Sequence, residues 1–334
     1  MNIENSKPPF FLSDRILPMG KTVKAFSPGT VANMVCGFDI LGFCLNDPCD
    51  EMWLKLIDKK TVIIHPDPEY NLPTDPEKNV AGAPLLAMLE TIAEEVGFEM
   101  KITKHIKPGS GIGSSAASAA GAVVAANYLL GGRFSQEELV QFAMFGEKVA
   151  TGVKHADNIA PCIYGGVTLI RAIHPLDIIP LPSPELFVTI VHPQIEVRTA
   201  DARAILKKQI FLKDAIKQWG NIAGLVAGLV KKDYDLIGRS LEDYIIEPVR
   251  SILIPGFNEV KQKSKEAGAL GGGISGSGPS IFMLSKTKEI AQQVEQAMIQ
   301  IYTLLGVDFH THLTTINNHG IKLVESEWPE NFSK

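Results

Sequence analysis

The stretch Lys107-Pro108-Gly109-Ser110-Gly111-Ile112-Gly113-Ser114-Ser115-Ala116-Ala117 decides how the rest of this 334-residue chain is read. Before it, 100–106 alternates with the period of a half-buried strand; after it, residues to Gly132 are rich in Ala, Gly and Ser and read as an interior helix. A Gly-rich turn that opens a helix presents unpaired N–H groups and the positive end of the helix dipole, an arrangement suited to phosphate. Gly109, Gly111 and Gly113 omit side chains where backbone would wrap an anion. Ser114 and Ser115 add hydroxyls that can cap the helix or reach a metal. No Lys follows the last Gly, so this is not a Walker loop, and Ser114 stands where a dinucleotide fingerprint has its third Gly. A turn that only packs strand closely on helix is the competing reading. The uncharged run 108–132 is long enough to span a membrane, but its small side chains argue for tight packing inside a protein.

Outward from this stretch, β-branched and aromatic residues predict strands over 22–26, 51–57 and 61–65, then a Pro-rich loop over 66–78 and a helix over 79–96. Ser135 with Glu138 forms a capping box, which starts a helix running to about Thr151. On it Glu147 falls at the margin of the apolar face and Lys148 points away. Strands at 165–171 and 186–192 flank the Pro-rich 175–184, the candidate domain junction. Helices follow near 200–218, 222–231, 233–245 and 258–267, then strand 280–284, helix 288–305 and strand 311–316. Gly271, Gly273 and Gly276 match GxGxxG formally, but a strand follows where that motif needs a helix. This second Gly-rich segment can instead buttress the first or touch a substrate.

Composition narrows the class of protein. Lys plus Arg is 32 against 37 for Asp plus Glu, a net charge of -5, which argues against a nonspecific grip on nucleic acid. With 45% hydrophobic and 21% charged residues, the chain is an ordinary globule with room for about two domains. Cys36, Cys44, Cys49 and Cys162 form no CxxC pair and read as packing residues in a reducing cytoplasm rather than a metal site. Residues 1–20 lack the continuous apolar run of a signal peptide.

Polar residues cluster in otherwise apolar or small surroundings at Asn33 and Asp39, around Gly37-Phe38, and at His155-Ala156-Asp157-Asn158. Each could be a turn. A carboxylate near a phosphate loop is better motivated, because Mg²⁺ takes a few hard oxygens together with substrate phosphates; Glu147 is the candidate, with a solvated helical Glu as the alternative.

The loop 107–117 resembles the phosphate loop of the GHMP kinases. The runs 27–42 (SPGTVANMVCGFDILG) and 154–161 (KHADNIAP) are similar to the homoserine-kinase branch of that family. So are Thr199 to Arg203, Glu247-Pro248-Val249-Arg250 with Leu253-Ile254-Pro255-Gly256, and Ser275-Gly276-Ser277-Gly278-Pro279. The matches span roughly 23 to 316, in the family's order. The chain departs from the pattern at Lys107, Gly29 and Cys36, which affects loop shape rather than a named functional group.

The resemblance implies an α+β chain with the two-domain GHMP kinase fold: an extension over 1–20, a ribosomal-protein-S5-domain-2-like ATP-binding domain over 21–180 and a ferredoxin-like domain over 181–334. It implies transfer of the ATP γ-phosphate to the side-chain hydroxyl of L-homoserine, in threonine synthesis, by a cytoplasmic homodimer that uses neither nucleic acid nor membrane. Residues 107–117 would hold ATP, with Asn79 near the adenine or, equally, capping a helix. Ser115 and Glu147 would hold Mg²⁺. The substrate carboxylate calls for Arg203 and Arg250 and its ammonium for Asp39 and Asn33. Asn158 would lie near the attacking hydroxyl, and His155 and Asp157 would orient the site. No general base is identifiable. The rival readings are a kinase of another small alcohol, whose substrate gives Asp39 no ammonium to hold, and a non-catalytic protein on the same fold.

Overall fold

The computed structural model describes residues 18–65, 67 and 69–329; most of the 1–20 extension lies outside the described residues. The architecture is α+β, built on two sheets. The first contains β1 (Thr22–Ala32), β2 (Leu41–Ile57), β3 (Val62–Ile64), β4 (Gly97–Thr103), β5 (Val167–Ile173) and β6 (Leu176–Leu181). Helices α1 (Gly82–Glu90), α2 (Ser114–Leu129), α3 (Gln136–Thr151) and α4 (Ile159–Tyr164) cover it. The second contains β7 (Phe187–Pro193), β8 (Gly271–Ile274), β9 (Ile281–Ser285) and β10 (Phe309–Thr315), antiparallel in the order β10-β7-β9-β8. With it go α5 (Thr199–Ala204), α6 (Leu212–Lys231), α7 (Tyr234–Ser240), α8 (Glu247–Arg250), α9 (Phe257–Glu266) and α10 (Lys288–Leu305). β11 (Lys322–Glu325), which no sequence pattern announces, returns to pair with β1. The last strand of the 181–334 segment thus lies in the first sheet.

One apolar cluster joins the sheets, with Phe43 of β2 edge-on to Phe282 of β9 at 5.5 Å. The N-terminal end of α2 meets this shared core through Ile112 and Ala117. α2 buries small residues all round, and Gly121 leaves room for the Ser27 hydroxyl of β1. The Ser135–Glu138 capping box of α3 is formed, and the helix ends at Gly152 in the left-handed conformation.

Several elements differ from expectation for identifiable reasons. The helix expected over 79–96 spans only 82–90, because the chain must reach Gly97, where a Cβ would lie 2.1 Å from the Thr61 carbonyl oxygen. β4 ends at Thr103 rather than 106, because Asp50 Oδ1 accepts the N–H groups of His105 (2.8 Å) and Ile106 (2.9 Å). The Pro-rich 175–184 contains β6, which tolerates Pro180 because it pairs with β5 alone. The two helices expected across 200–218 and 222–231 are α5 and a 20-residue α6. Gly271 to Gly273 are themselves strand. A Cβ on Gly273 would sit on the buried Glu247 carboxylate and one on Gly272 on the Phe282 carbonyl, so the strand forms where side chains cannot.

Candidate active site

The two sheets flank a cleft of about 370 Å³, within the range of small-ligand pockets. The turn before α2 forms one wall. Gly109, Gly111 and Gly113 all have left-handed φ, and a Cβ on Gly111 would meet the Gly278 carbonyl at 2.6 Å. The second Gly-rich segment buttresses the turn: Ser275 Oγ donates to the Gly111 carbonyl (2.8 Å) and Ser280 Oγ to that of Ser110 (2.6 Å). In the first turn of α2, Ser114, Ser115 and Ala116 present N–H groups without an intrahelical acceptor, whereas Ala117 N–H donates to the Gly113 carbonyl (2.8 Å).

Pro108, Gly109, Gly111, Gly113, Ser114 and Ser115 line the cleft. Lys107, Ser110, Ile112, Ala116, Ala117 and Asn79 do not. Lys107 Nζ donates outward to Gln194 (2.6 Å), and Ile112, Ala116 and Ala117 are core residues. Ser110 closes the turn through its N–H to Lys107 (3.2 Å). Asn79 is buried with its amide fully used: it donates to Pro73 (2.6 Å) and accepts from Ala81 (2.8 Å) and Gly82 (3.1 Å). Its work is to start α1, and the neighbouring Val80 reaches the cleft instead.

Ser115 Oγ donates to Glu147 Oε1 at 2.6 Å, joining α2 to α3. Glu147 is buried, and desolvation raises its pKa while the Ser115 bond opposes that rise. Beneath this pair lies one that sequence reading missed: Lys104 Nζ binds Asp50, the Ser114 carbonyl (3.0 Å) and Ser118 Oγ (3.0 Å), so a buried ion pair ties the end of β4 to the start of α2.

The opposite wall is the 33–39 loop. Asn33, Met34, Val35 and Asp39 all have positive φ, and a β-branched Val at +65° is an outlier. The surroundings enforce it. Asn33 Oδ1 accepts from Asp39 N–H (3.1 Å), its Nδ2 donates to the Gly276 carbonyl (2.7 Å), and Gln218 holds the Cys36 carbonyl (2.8 Å). Asn33 therefore shapes the wall with both ends of its amide, and Asp39 projects from the wall. The Arg203 guanidinium grips Asp39 through two bonds of 3.1 and 2.7 Å. Arg250 is buried; its Nε donates to the Ala202 carbonyl (2.9 Å) and its Nη1 to that of Gly276 (3.2 Å). Burial, then Arg203, lowers it to about 10. The Glu247 of its motif is the anchor: the carboxylate binds Lys261 (2.6 Å) and Ile274 N–H (3.2 Å), fixing α8 against β8 three residues before Arg250. Phe38 lies under both guanidiniums, at 5.3 Å from Arg203 and 4.8 Å from Arg250, a role the sequence gave no sign of.

Asn158 connects the walls. Its Oδ1 accepts from Thr30 Oγ1 at 2.8 Å, and both groups touch the space where Gly113 lacks a side chain. The Asn158 amide is thereby oriented with Nδ2 free of that bond. Asp157 is fully buried, and desolvation, then Asp39 and Glu147, push it up to about 7. His155 Nδ1 is 3.9 Å from Asp39, and burial lowers its pKa. His155 Nε2 and Arg203 Nε are buried without a hydrogen-bond partner among the described residues. Asn33, Asp39, His155, Asp157, Asn158, Arg203 and Arg250 all line the one cleft with Ser115 and Glu147, and Thr199 and Ser277 line it too.

Comparison with known proteins agrees with this division. The GHMP kinases N terminal domain family matches residues 80–166, and the GHMP kinases C terminal family matches 225–303. A kinase of small molecules, with the phosphate loop and the second sheet facing one cleft, is therefore the class. A homoserine kinase from Chlorobium phaeobacteroides is 48% identical over 297 residues, 85% of this chain and 93% of that one. One from Methanococcus maripaludis is 41% identical over 272 residues, covering 81% and 90%. The crystal structure of homoserine kinase from Cytophaga hutchinsonii superposes with a TM-score of 0.88 at 49% identity, over 93% of this chain and all of that one. The chain belongs to the homoserine kinases. Mevalonate kinase of L. major, at 17% identity and a TM-score of 0.67, shares the fold.

Proposed function

We infer that the cleft transfers the γ-phosphoryl group of ATP to the side-chain hydroxyl of L-homoserine, giving O-phospho-L-homoserine and ADP. The observation that carries this reading is the contact between walls. The phosphate turn meets Thr30 and Asn158 at Gly113, so a triphosphate on the turn ends beside the groups that face the amino-acid side.

The first-turn N–H groups of Ser114, Ser115 and Ala116 take the phosphates, and the dipole of α2 favours their charge. Arg203 and Arg250 receive the substrate carboxylate and Asp39 its ammonium, so the zwitterion enters the Asp39–Arg203 pair with matching charges. Phe38 holds the guanidinium planes, and the free Nδ2 of Asn158 donates to the attacking oxygen. Asp157, half protonated near neutral pH, limits the negative charge around that oxygen. Catalysis then rests on positioning and charge neutralisation, which phosphoryl transfer permits. Ser115 and Glu147 supply two hard oxygens 2.6 Å apart beside the phosphate turn, a donor set that fits Mg²⁺ completed by substrate phosphates. When bound there, Mg²⁺ neutralises charge building on the transferring group.

ATP, L-homoserine and a second copy of the chain are the partners in this reading, which has no use for nucleic acid or membrane. No helix among the described residues is long and apolar enough to cross a membrane. The cytoplasm is the proposed setting, in keeping with four free cysteines, three of them buried. Phosphorus NMR of a reaction with ATP, Mg²⁺ and L-homoserine tests the chemistry. A phosphomonoester coupled to the γ-methylene protons is expected; inorganic phosphate as the only product would refute the transfer.

A further inference from the structure

Helix α6 carries an exposed apolar stripe that the cleft does not use. Leu212, Ile216, Trp219, Ala223, Val226 and Val230 follow at intervals of four, three, four, three and four residues, the 3.5-residue repeat of a helix-pairing seam. The opposite face, with Ala215, Gln218, Leu225, Gly228 and Leu229, is buried in the body of the protein. On the stripe Leu212 is 66% exposed, Ile216 56%, Trp219 59% and Val230 54%, and Ile210 and Phe211 extend it beyond the helix start. Contiguous apolar surface of this kind marks a contact site.

Its internal order indicates what covers it. The stripe is symmetric about Asn221, with Leu212 and Val230, Ile216 and Val226, and Trp219 and Ala223 each equally distant from that residue. A two-fold axis there, crossing an antiparallel pair of α6 helices, sets every stripe residue against its counterpart. The bulky Trp219 then meets the small Ala223, with Gly220 beside it. An isologous contact requires this self-complementarity. The cations keep to the rim: Lys217 lies over the Tyr244 ring at 4.7 Å, and Lys231 and Lys232 close the far end, where the register brings them alongside Phe211 of the partner subunit. We propose that the chain dimerises through α6, antiparallel to α6 of a second copy about an axis at Asn221. A stable dimer buries roughly 800 Å² per partner, more than a stripe about 27 Å long provides, so Ile210, Phe211 and Tyr244 join the contact.

Sedimentation velocity of the full chain tests this and reads mass rather than activity, so its outcome is separate from that of the kinase reading. The wild type is expected to sediment as a dimer that tightens as salt screens the lysines. Ile216→Glu and Trp219→Glu are expected to raise the dimer dissociation constant ~100-fold or more, while Leu304→Glu, at an 85% exposed position on α10, stays dimeric. A second readout avoids buried charge. A Cβ on Gly220 meets nothing within 4 Å, so Gly220→Cys in a Cys49→Ser background is expected to fold and to join two copies through a short bismaleimide, where Leu304→Cys does not. A monomeric wild type, or a dimer indifferent to both Glu substitutions and not joined at Gly220→Cys, overturns the proposal. So does a monomer that co-sediments with phosphatidylserine vesicles and loses them on Trp219→Glu, which would assign the stripe to a membrane surface.

Discussion

Glu147 is buried with one short bond, to Ser115, and a burial-raised pKa, a costly state for a carboxyl group unless a cation completes it. Replacing Glu147 with Ala should lower kcat on the order of 10² or more while the protein stays folded. A variant with normal kcat at saturating Mg²⁺ would remove Glu147 from the metal site. Arg250→Ala should chiefly raise KM for homoserine, on the order of tenfold or more, with KM for ATP little changed; an effect confined to ATP would assign Arg250 to the other pocket. Asp157 gives a pH signature. Its folded pKa of about 7 stands above its ordinary 3.8, so its contribution to stability is fully present below pH 4 and is lost as pH rises towards 7. The melting temperature of Asp157→Asn should therefore gain on the wild type across that window, and a constant difference would contradict the shift. At this scale, much of the site was legible, because a charged or amide side chain among small residues stands out in a sequence. Phe38, Thr30 and the Lys104–Asp50 pair were not legible: an aromatic, a hydroxyl and two distant charges gain their roles only from the fold.

The element that organises the site is the start of α2, and what holds it is buried electrostatics beneath backbone geometry. Lys104 sits under the first turn with its ammonium neutralised by Asp50, whose other oxygen ends β4. Asp50→Ala leaves that ammonium buried and unpaired and should cost about 3–5 kcal/mol in denaturant unfolding. The double replacement of Asp50 with Leu and Lys104 with Met should recover much of the loss, and equal losses in the two variants would mean the pair does not act as a unit. The 33–39 loop shows the same dependence on surroundings, since Val35 holds a conformation no local preference would select. Elements set by local chemistry were the readable ones. The capping box placed α3, and the Thr287 cap with its apolar periodicity placed α10. Elements set by distant partners were misread: β8 is strand because Glu247 fills the space its glycines leave, and β11 exists because the chain returns to the free edge of β1.

Across the whole molecule, the net charge of -5 is no obstacle to binding an anionic nucleotide, because the attraction is local. N–H groups at one helix start, two arginines and a candidate metal pair are concentrated in one cleft between two sheets that share a core. The same cleft sets the specificity: Asp39 and the two arginines ask for a substrate that carries both an ammonium and a carboxylate. The most direct measurement is kcat/KM for ATP-dependent phosphorylation, by coupled ADP release, across homoserine, mevalonate, shikimate and galactose. Homoserine should exceed each of the others by on the order of 10³ or more, because a substrate lacking the ammonium leaves Asp39 unmatched and one lacking the carboxylate leaves the arginines unmatched. Comparable or faster turnover of mevalonate or galactose would contradict the account.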